Sequence, residues 1–214
     1  MKYDAYLFDF DYTLANAETG IIIAYRSVLE KHGLPGVSDD AIRRTIGQSL
    51  PDGFTALCGE TDKDKLEEYR TEYVAVSDVY MTANTVFYPG AVALVRRIKS
   101  SGKRTGIVST KYAYRIRAAL EKDSIAELFD VIVGGDMVAQ FKPDPAGVLQ
   151  AVDKLNVDKN RVLYVGDTVM DAETAQRAGV DFIGVTTGVT TAEELGRFPH
   201  VAIVSDLSEI EGAR

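Results

Sequence analysis

Short apolar runs separated by helical patterns make up most of the chain after residue 84. Apolar residues recur at helical spacing over 91–98, 114–120 and 146–152. The apolar runs lie at 104–108, 129–133, 162–165, 180–185 and 201–204. Continuous apolar runs of this length are typical of strands that are buried on both faces. The alternation therefore predicts a parallel sheet covered by helices on both faces, and a first strand at 4–8 belongs to the same sheet.

Between residues 16 and 83 the pattern changes to consecutive helices with no convincing strand. Helices are predicted over 21–32, 38–46, 52–57 and 62–79. Two of them start with a side-chain cap and acidic residues in the first turn, at 38–41 and 61–64. We therefore predict a core of residues 1–15 and 84–214 and an inserted helical cap of residues 16–83, placed to act as a lid. The alternative is that these helices belong to the main core.

Composition narrows the class of protein. A chain of 214 residues with 46% hydrophobic residues predicts a globular domain with a small insertion. The net charge of −8 argues against broad binding to a nucleic-acid backbone. No apolar run approaches the ~18 residues of a membrane helix, and no signal segment is visible, so we predict a cytoplasmic protein without a membrane partner. The single Cys58 cannot form an intramolecular disulfide and is expected to be an inert thiol.

Two carboxylates follow the first predicted strand. Asp9 and Asp11 are two positions apart, so in an extended segment their side chains share one face. Two anions this close repel each other unless a cation or a shared proton intervenes. Mg²⁺, which takes oxygen ligands, is the simplest cation for such a place. The alternative is that both residues begin a loop and cap the next helix.

Polar residues also follow three later strands. Ser109, Thr110 and Lys111 come after the apolar residues 106–108. Lys142 and Pro143 come after the glycine pair that follows 131–133. Gly166, Asp167 and Asp171 come after 162–165. Each group has a plainer interpretation: Ser109 and Thr110 as a cap for the helix near Tyr114, Lys142 as a solvated cation, and Asp167 and Asp171 as caps for a helix at 172–178. Because ligands bind beyond the carboxyl ends of parallel strands, their occurrence together favours one site.

In order and spacing these residues resemble the haloacid dehalogenase-like hydrolase superfamily, particularly its phosphatases of the phosphoglycolate phosphatase and pyrophosphatase kind. The resemblance spans essentially the whole chain. It implies an α/β fold, with a Rossmann-like parallel sheet core and an inserted α-helical cap domain. Its four motifs match Asp9, Asp11, Thr13 and Leu14; Ser109; Lys142 and Pro143; and Gly166, Asp167 and Asp171.

The resemblance implies a role for each acidic residue of the site. Asp9 looks like the nucleophile that becomes an aspartyl-phosphate, and Asp11 resembles the general acid and base. The expected Mg²⁺ ligands are the Asp9 carboxylate, the Asp11 backbone carbonyl and Asp167. Asp171 is expected to orient the groups around the metal without binding it directly.

The phosphoryl group has its own set of expected partners. The resemblance implies that Ser109, the Thr110 backbone N–H and Lys142 surround the phosphoryl oxygens. One departure from the family pattern is Tyr12, where the family usually has glycine. Since a bulky residue tolerates positive φ poorly, we expect an ordinary backbone conformation at Tyr12. Its side chain is expected to alter substrate fit and leave the chemistry intact.

Substrate recognition is expected to come mainly from the cap. The segment 46–51 resembles the loop that related phosphatases direct toward the site, and Arg43 and Arg44 precede it. Arg43 and Gln48 are the candidate contacts, with Arg43 meeting a carboxylate or a second phosphate. The alternative is that both arginines are solvated and Gly47 merely ends a helix. His32 and His200 are expected to lie on the surface, outside any metal site.

These observations favour a Mg²⁺-dependent phosphatase for a small phosphorylated metabolite, such as a phosphoglycolate-like monoester or pyrophosphate. The first alternative is a phosphosugar mutase, in which the phosphoryl group passes to a sugar hydroxyl. A dehalogenase is disfavoured because Asp11 is retained. A phospho-accepting signalling domain is disfavoured by the length of the chain and by the inserted helices. The resemblance is compatible with a monomer or a homodimer.

Overall fold

The computed structural model describes residues 2–210, which form two compact units. One unit combines the chain up to Asn16 with the chain from Phe87 onward, and the other consists of Ala17–Val86. The proposed role of residues 16–83 as a lid concerns the placement of the two units, and it stays a prediction.

The larger unit contains a six-stranded parallel sheet in the described residues. Its strand order is β5-β4-β1-β6-β7-β8. Two further short strands, β2 (Ala15–Asn16) and β3 (Val86–Phe87), pair separately. The sheet strands are β1 (Ala5–Phe8), β4 (Arg104–Val108), β5 (Val131–Val133), β6 (Val162–Gly166), β7 (Asp181–Val185) and β8 (Ala202–Val204). The predicted α/β class with a parallel sheet is confirmed.

Helices follow the strands as the alternation predicts. The helices of the larger unit are α5 (Pro89–Ser100), α6 (Ala113–Lys122), α7 (Ala146–Leu155), α8 (Val169–Ala178) and α9 (Ala192–Leu195). Along β1, Tyr6 and Phe8 belong to one apolar cluster, whereas Ala5 and Leu7 belong to another. Successive side chains of a strand point to opposite faces, so these two clusters lie on the two faces of the sheet. The sheet is therefore buried on both sides, which explains its continuous apolar runs.

The direction in which successive strands are added to the sheet switches at β1. From β1 the sheet continues through β4 and β5 on one side and through β6, β7 and β8 on the other. Phe8 lies opposite Ile107 of β4 and Val165 of β6. Residues that directly follow these three strands therefore meet at one edge of the sheet, at the topological switch point where open α/β sheets bind ligands.

The smaller unit is helical. Its helices are α1 (Glu18–Lys31), α2 (Asp39–Arg43), α3 (Leu50–Cys58) and α4 (Lys63–Tyr80). Aromatic rings form its interior: Tyr25 lies 4.8 Å from Phe54 and 4.9 Å from Tyr73 between ring centroids, and Phe54 lies 5.3 Å from Tyr69. Tilted and edge-on rings at these separations add to the stabilisation from burial.

Three helix boundaries of the smaller unit differ from the prediction by two residues or more, the first being the start of α1, which is predicted at 21 and lies at Glu18. The helix predicted over 38–46 ends at Arg43, and the one predicted from 52 begins at Leu50. The Ser49 hydroxyl accepts a hydrogen bond from the Asp52 N–H and caps α3. Pro51 is tolerated in the first turn because its missing N–H has no partner there in any helix. Among the described residues, no helix has both the length and the apolar character that a membrane crossing requires.

Candidate active site

Asp9 is held at the carboxyl end of β1 and is 1% exposed. Its backbone N–H donates to the Val165 carbonyl over 2.8 Å, which continues the pairing with β6. Its Oδ1 lies 3.0 Å from the Lys142 Nζ. Apart from this ion pair, Oδ1 accepts no hydrogen bond from the described residues. A buried carboxylate oxygen thus retains capacity for a further ligand.

Lys142 is an internal residue of the site, with 5% of its side chain exposed. Its Nζ donates to Asp171 Oδ1 over 2.6 Å and to the Tyr164 hydroxyl over 3.3 Å. The plainer interpretation of Lys142 as a solvated cation is therefore wrong. Burial alone would lower the pKa of Lys142, but the adjacent Asp171 and Asp9 carboxylates outweigh it and raise that pKa above its ordinary value. The ammonium group stays charged beside Asp9.

Asp171 joins the helix that follows β6 to this cluster. Its Oδ2 accepts from the Thr168 backbone N–H over 3.0 Å and from the Thr168 hydroxyl, which forms a capping box at the start of α8. Helix α8 begins at Val169, three residues before the predicted start at 172. A Cβ on Gly166 would lie 2.4 Å from the Cβ of Asp171, so only glycine lets the strand pass this closely. Asp171 therefore both caps a helix and holds Lys142.

Asp167 faces the same space from the end of β6. Its Oδ1 accepts a hydrogen bond of 3.0 Å from the Thr13 hydroxyl. Its Oδ2 approaches the Gly188 backbone so closely that a Cβ there would lie 2.1 Å away. Carboxylate oxygens of Asp9, Asp167 and Asp171 lie within 4.8 Å of one another. The structure therefore brings the predicted acidic residues together.

The charges in this space are poorly balanced without a further cation. Burial raises the pKa of Asp9 to about 6, with Lys142 opposing the rise and Asp171 adding to it. Burial, followed by repulsion from Asp171 and Asp9, raises the pKa of Asp167 well above its ordinary value. A buried set of carboxylate oxygens, one of them without a hydrogen bond, is the donor chemistry that a hard cation such as Mg²⁺ prefers. The residues present therefore fit this metal.

Ser109 follows β4 at the same edge of the sheet. Its N–H donates to the Val133 carbonyl over 3.0 Å, and its Oγ accepts from the Lys111 N–H over 3.3 Å. Helix α6 has Tyr112 at its N-cap position, without a side-chain cap. The plainer interpretation of Ser109 and Thr110 as helix caps is therefore wrong. Both residues lie in a loop that leads from the strand end to α6.

Asp11 has a partner that the sequence interpretation missed. Lys111 Nζ lies 3.1 Å from Asp11 Oδ1 and 3.0 Å from Oδ2. The signal available in the sequence was the position of Lys111, two residues after Ser109 at the end of β4. Nothing in the spacing of Asp11 and Lys111, which are 100 residues apart, indicates a pair. Tyr164 was missed for a different reason: it lies within an apolar run and is indistinguishable by pattern from the other residues of that strand.

The expectation of an ordinary backbone conformation at Tyr12 is wrong, because its φ is 58°; the expected effect of its side chain on substrate fit stays a prediction. The Tyr12 N–H donates to the Ala15 carbonyl over 2.8 Å, and its carbonyl accepts from the Thr187 hydroxyl. The side chain is buried. These contacts hold a bulky residue in the left-handed region, where glycine is ordinarily favoured.

Arg43 and Gln48 have partners within the smaller unit. Arg43 Nε donates to Glu18 Oε1 over 2.7 Å, and the guanidinium also pairs with Asp40. Gln48 Nε2 donates to the Arg44 carbonyl over 3.3 Å. The interpretation of Arg43 as merely solvated is therefore incomplete, since two carboxylates bind it. Contact of Arg43 or Gln48 with a substrate stays a prediction.

His32 is also less exposed than expected. Its Nε2 lies 2.9 Å from Glu72 Oε2, and its ring centroid lies 4.5 Å from that of Tyr69. Glu68 completes a group of three possible metal ligands. Glu72 is already paired with Lys31 as well as His32, so these contacts have a structural explanation as links between α1 and α4.

The chain is similar over most of its length to one protein family. The family profile for haloacid dehalogenase-like hydrolases matches residues 6–185. A phosphoglycolate phosphatase from Cereibacter sphaeroides is 35% identical over 95% of this chain and 94% of its own length. The Dickeya dadantii protein named "Probable phosphatase IndB" is 32% identical over 97% of this chain and 91% of its own length.

Solved structures give the same result for the fold. A Bacteroides fragilis protein assigned to the haloacid dehalogenase-like hydrolases is 48% identical. Its crystal structure superposes with a TM-score of 0.96 and covers 98% of this chain and 100% of that chain. A Lactobacillus plantarum structure assigned to the phosphoglycolate phosphatases is 26% identical, with a TM-score of 0.87 over 98% of both chains.

Proposed function

This chain belongs to the haloacid dehalogenase-like hydrolase family and is a phosphatase, and we propose that it hydrolyses a small phosphomonoester through a phosphorylated Asp9. One observation carries the proposal: the buried Asp9 carboxylate lies 3.0 Å from the Lys142 ammonium group, within a group of acidic side chains at the sheet edge. A carboxylate so placed can act as a nucleophile once the negative charge of the phosphoryl group is screened.

The first chemical step joins Asp9 to phosphorus. An Asp9 oxygen forms the new O–P bond while the bond from phosphorus to the leaving oxygen breaks. Asp11, in its protonated form, gives its proton to that oxygen, so the product leaves as an alcohol and Asp11 becomes a carboxylate. In the second step Asp11 takes a proton from water, the water oxygen bonds to phosphorus, and the acyl phosphate releases inorganic phosphate and free Asp9.

Phosphatases of this family generally use Mg²⁺. In this chain the Asp9 carboxylate, the Asp11 backbone carbonyl and Asp167 would hold the ion. When bound, Mg²⁺ supplies the positive charge that screens a carboxylate from an incoming phosphoryl group. Thr13 fixes the Asp167 carboxylate through its hydroxyl, and this contact orients the expected ligand.

Positioning of the phosphoryl oxygens is assigned to three groups. Ser109 and the Thr110 backbone N–H are proposed to donate hydrogen bonds, and Lys142 is proposed to supply a positive charge. Asp171 holds the Lys142 ammonium group through a contact of 2.6 Å, so its role in this proposal is to orient Lys142. Orientation of the phosphoryl oxygens and stabilisation of their developing charge are expected to carry much of the rate, beside the covalent role of Asp9.

The substrate class rests on the relatives. Several similar proteins are phosphoglycolate phosphatases, and we extend to this chain a preference for small phosphate esters such as 2-phosphoglycolate, with pyrophosphate as a second possibility. The alternative of a phosphosugar mutase is not favoured by these comparisons. Repeated turnover that releases inorganic phosphate distinguishes a hydrolase from a mutase.

A phosphate-release screen tests the proposal. The purified protein is incubated with Mg²⁺ and a panel containing 2-phosphoglycolate, ethyl phosphate, pyrophosphate and p-nitrophenyl phosphate. We expect turnover that EDTA abolishes, and a loss of roughly 10³-fold or more in Asp9→Asn. Acid quenching followed by peptide mass spectrometry should locate a phosphoryl group on Asp9.

Asp4→Asn is the matched control, because Asp4 pairs with Arg161 and Lys103 and lies outside the acidic group of the site. Its activity should equal that of the wild type. Unchanged turnover in a folded Asp9→Asn variant would assign the nucleophile to another residue and overturn the proposal.

A further inference from the structure

Asp11 and Lys111 form a close ion pair in the larger unit. Lys111 Nζ lies 3.1 Å and 3.0 Å from the two oxygens of the Asp11 carboxylate. Only 6% of the lysine side chain and 11% of the aspartate side chain are exposed. Contact with both oxygens restricts the rotation of the carboxylate about its terminal bond. A pair so well removed from water is screened little by solvent, unlike the pairs on the surface.

The backbone of Lys111 is fixed on both sides. Its N–H donates to Ser109 Oγ over 3.3 Å, and its carbonyl accepts from the Gly135 N–H over 3.1 Å. Its ammonium group lies 5.7 Å from the centroid of the Phe10 ring, next to Asp11 in the chain. The lysine therefore extends from an anchored loop after β4 to the turn after β1. It links the proposed phosphate-binding loop to the proposed general acid.

The turn that carries Asp11 needs such a link. Asp11 is followed by Tyr12 in the left-handed region, so the backbone changes direction directly after the carboxylate. Aspartate has two rotatable side-chain bonds, and a proton donor must lie within hydrogen-bond reach of the leaving oxygen to be effective. A misplacement of about 1 Å in such a group costs roughly 10²-fold in rate.

We propose that Lys111 is a positioning residue that holds the Asp11 carboxyl group in place for proton transfer to the leaving group. The proposal rests on the function proposed above. It assigns Lys111 a role separate from that of Lys142, whose ammonium group lies against Asp9 and Asp171. The proton balance is that of the first step: Asp11 enters it as the acid, with Lys111 donating a hydrogen bond to its carboxyl group, and loses one proton to the leaving oxygen as the bond from phosphorus to that oxygen breaks. The carboxylate that forms then pairs with Lys111 as in the structure. Lys111 gains and loses no proton.

The way in which the rate loss of a Lys111 variant depends on the leaving group separates this role from the other roles that a lysine can have. Ethyl phosphate has a poor leaving group, which needs the proton from Asp11. The p-nitrophenolate ion leaves readily without one. The value of kcat/KM reports the steps up to the phosphorylation of Asp9, so it is the quantity to compare between these two substrates.

The experiment measures kcat/KM for Lys111→Met with ethyl phosphate, 2-phosphoglycolate and p-nitrophenyl phosphate. We expect a loss of roughly 30-fold to 100-fold for both alkyl esters and of less than about 3-fold for the aryl ester, since general acid catalysis contributes roughly 10²-fold to 10⁴-fold. Lys111→Arg retains the charge and should recover part of the alkyl ester rate. Activity toward p-nitrophenyl phosphate shows that the site is folded, and Lys111→Gln replaces Lys111→Met if the latter does not fold.

The matched control is Lys99→Met. Lys99 pairs with Asp130 over 2.7 Å in the same unit, but Asp130 lies at the amino end of β5 and so at the opposite edge of the sheet from Asp9. Lys99→Met should leave the ratio of kcat/KM between the alkyl esters and the aryl ester unchanged.

Three results would overturn the proposal, and each has a distinct meaning. An equal loss for aryl and alkyl esters would make Lys111 a general support of the site. A loss confined to 2-phosphoglycolate, with ethyl phosphate unaffected, would make Lys111 a direct ligand of the substrate carboxylate. Unchanged kcat/KM for every ester would show that the ion pair has no part in the reaction. A wild-type protein that hydrolyses no ester in the panel would instead overturn the proposed function, and this proposal with it.

Discussion

Tyr12 shows how packing overrides a local backbone preference. A non-glycine residue in the left-handed region costs on the order of 1–3 kcal/mol. Tyr12 adopts a φ of 58° with both its N–H and its carbonyl hydrogen-bonded and its ring buried. Removing a large buried side chain costs about 3–5 kcal/mol in typical cores. The burial of the ring is therefore the larger effect, and it holds the strained backbone.

The first prediction follows from this balance. Tyr12→Gly should relieve the backbone and still lower the free energy of unfolding by about 2 kcal/mol, because the loss of the buried ring outweighs the relief. Urea denaturation measures the change.

Ser124→Gly is the matched control, since Ser124 has a φ of 52° and an exposed side chain. It should change the free energy of unfolding by less than about 1 kcal/mol. A Tyr12→Gly variant as stable as the wild type would show that the ring contributes little.

At the scale of elements, the start of α8 combines a structural and a chemical role. The Asp171 carboxylate accepts hydrogen bonds from Thr168 on one oxygen, and it binds Lys142 and the Tyr164 hydroxyl through the other. The position of Lys142 thus depends on how α8 begins. Burial, together with the nearby Asp171 and Asp9 charges, raises the pKa of Tyr164 well above its ordinary value, so its hydroxyl stays neutral and donates one hydrogen bond at a time.

The second prediction concerns this cap. Thr168→Ala should lower the free energy of unfolding by about 1 kcal/mol, as expected for a lost N-cap. It should also lower kcat roughly tenfold, because Asp171 loses a hydrogen bond that fixes its orientation toward Lys142. Chemical denaturation and steady-state kinetics measure the two effects.

Thr191→Ala provides the comparison, since Thr191 forms the same capping box with Glu194 at the start of α9, where both residues are exposed. Its kcat should equal that of the wild type. A similar fall in kcat in both variants would contradict the link between the cap of α8 and Lys142.

At the scale of the whole molecule, the site stores unfavourable electrostatic energy. Asp9, Asp167 and Asp171 are buried together, and burial raises the pKa of Asp9 to about 6. At pH values between 3.8, the ordinary pKa of an aspartate, and about 6, Asp9 in the folded protein binds a proton that the unfolded chain has released. The stability that this proton contributes is fully present below pH 3.8 and is lost as the pH rises through about 6.

The third prediction follows from the direction in which stability changes with pH. In metal-free protein at pH 7.5, Asp9→Asn should raise the free energy of unfolding by on the order of 2 kcal/mol, and the difference should shrink as the pH falls toward 4. Mg²⁺ should stabilise the wild type at pH 7.5, because only the folded state offers the site, and should stabilise Asp167→Asn much less. Urea denaturation with EDTA or Mg²⁺ measures both effects.

Asp4→Asn should behave in the opposite way. Arg161 and Lys103 hold the pKa of Asp4 below its ordinary value, so the stability that Asp4 contributes is present at neutral pH and lost as the pH falls. If Asp9→Asn destabilises the metal-free protein at pH 7.5, the buried carboxylates of the site do not destabilise the folded state by mutual repulsion and desolvation.

The apolar pattern sufficed to predict most of the fold. Buried parallel strands need nearly continuous apolar runs, so β1, β4, β6 and β7 could be located from sequence to within a residue or so. The run predicted from 129 begins as a strand only at Val131, and the Asp130 carboxylate just before it accepts a hydrogen bond from the Thr105 N–H. Helix ends were less predictable, since caps such as Ser49 with Pro51 depend on local hydrogen bonds that the apolar pattern does not contain.

The order of apolar and polar residues along the chain is enough to say which strand ends carry polar residues, and parallel strands bring such ends to one edge; Asp9, Lys142, Asp167 and Asp171 meet there for that reason. Which of the polar residues pair with one another depends on the folded arrangement of the chain. The contact of Lys111 with Asp11 spans 100 positions, and the left-handed Tyr12 depends on a hydroxyl group 175 positions away. Such contacts follow from packing in three dimensions, which one-dimensional periodicity does not record.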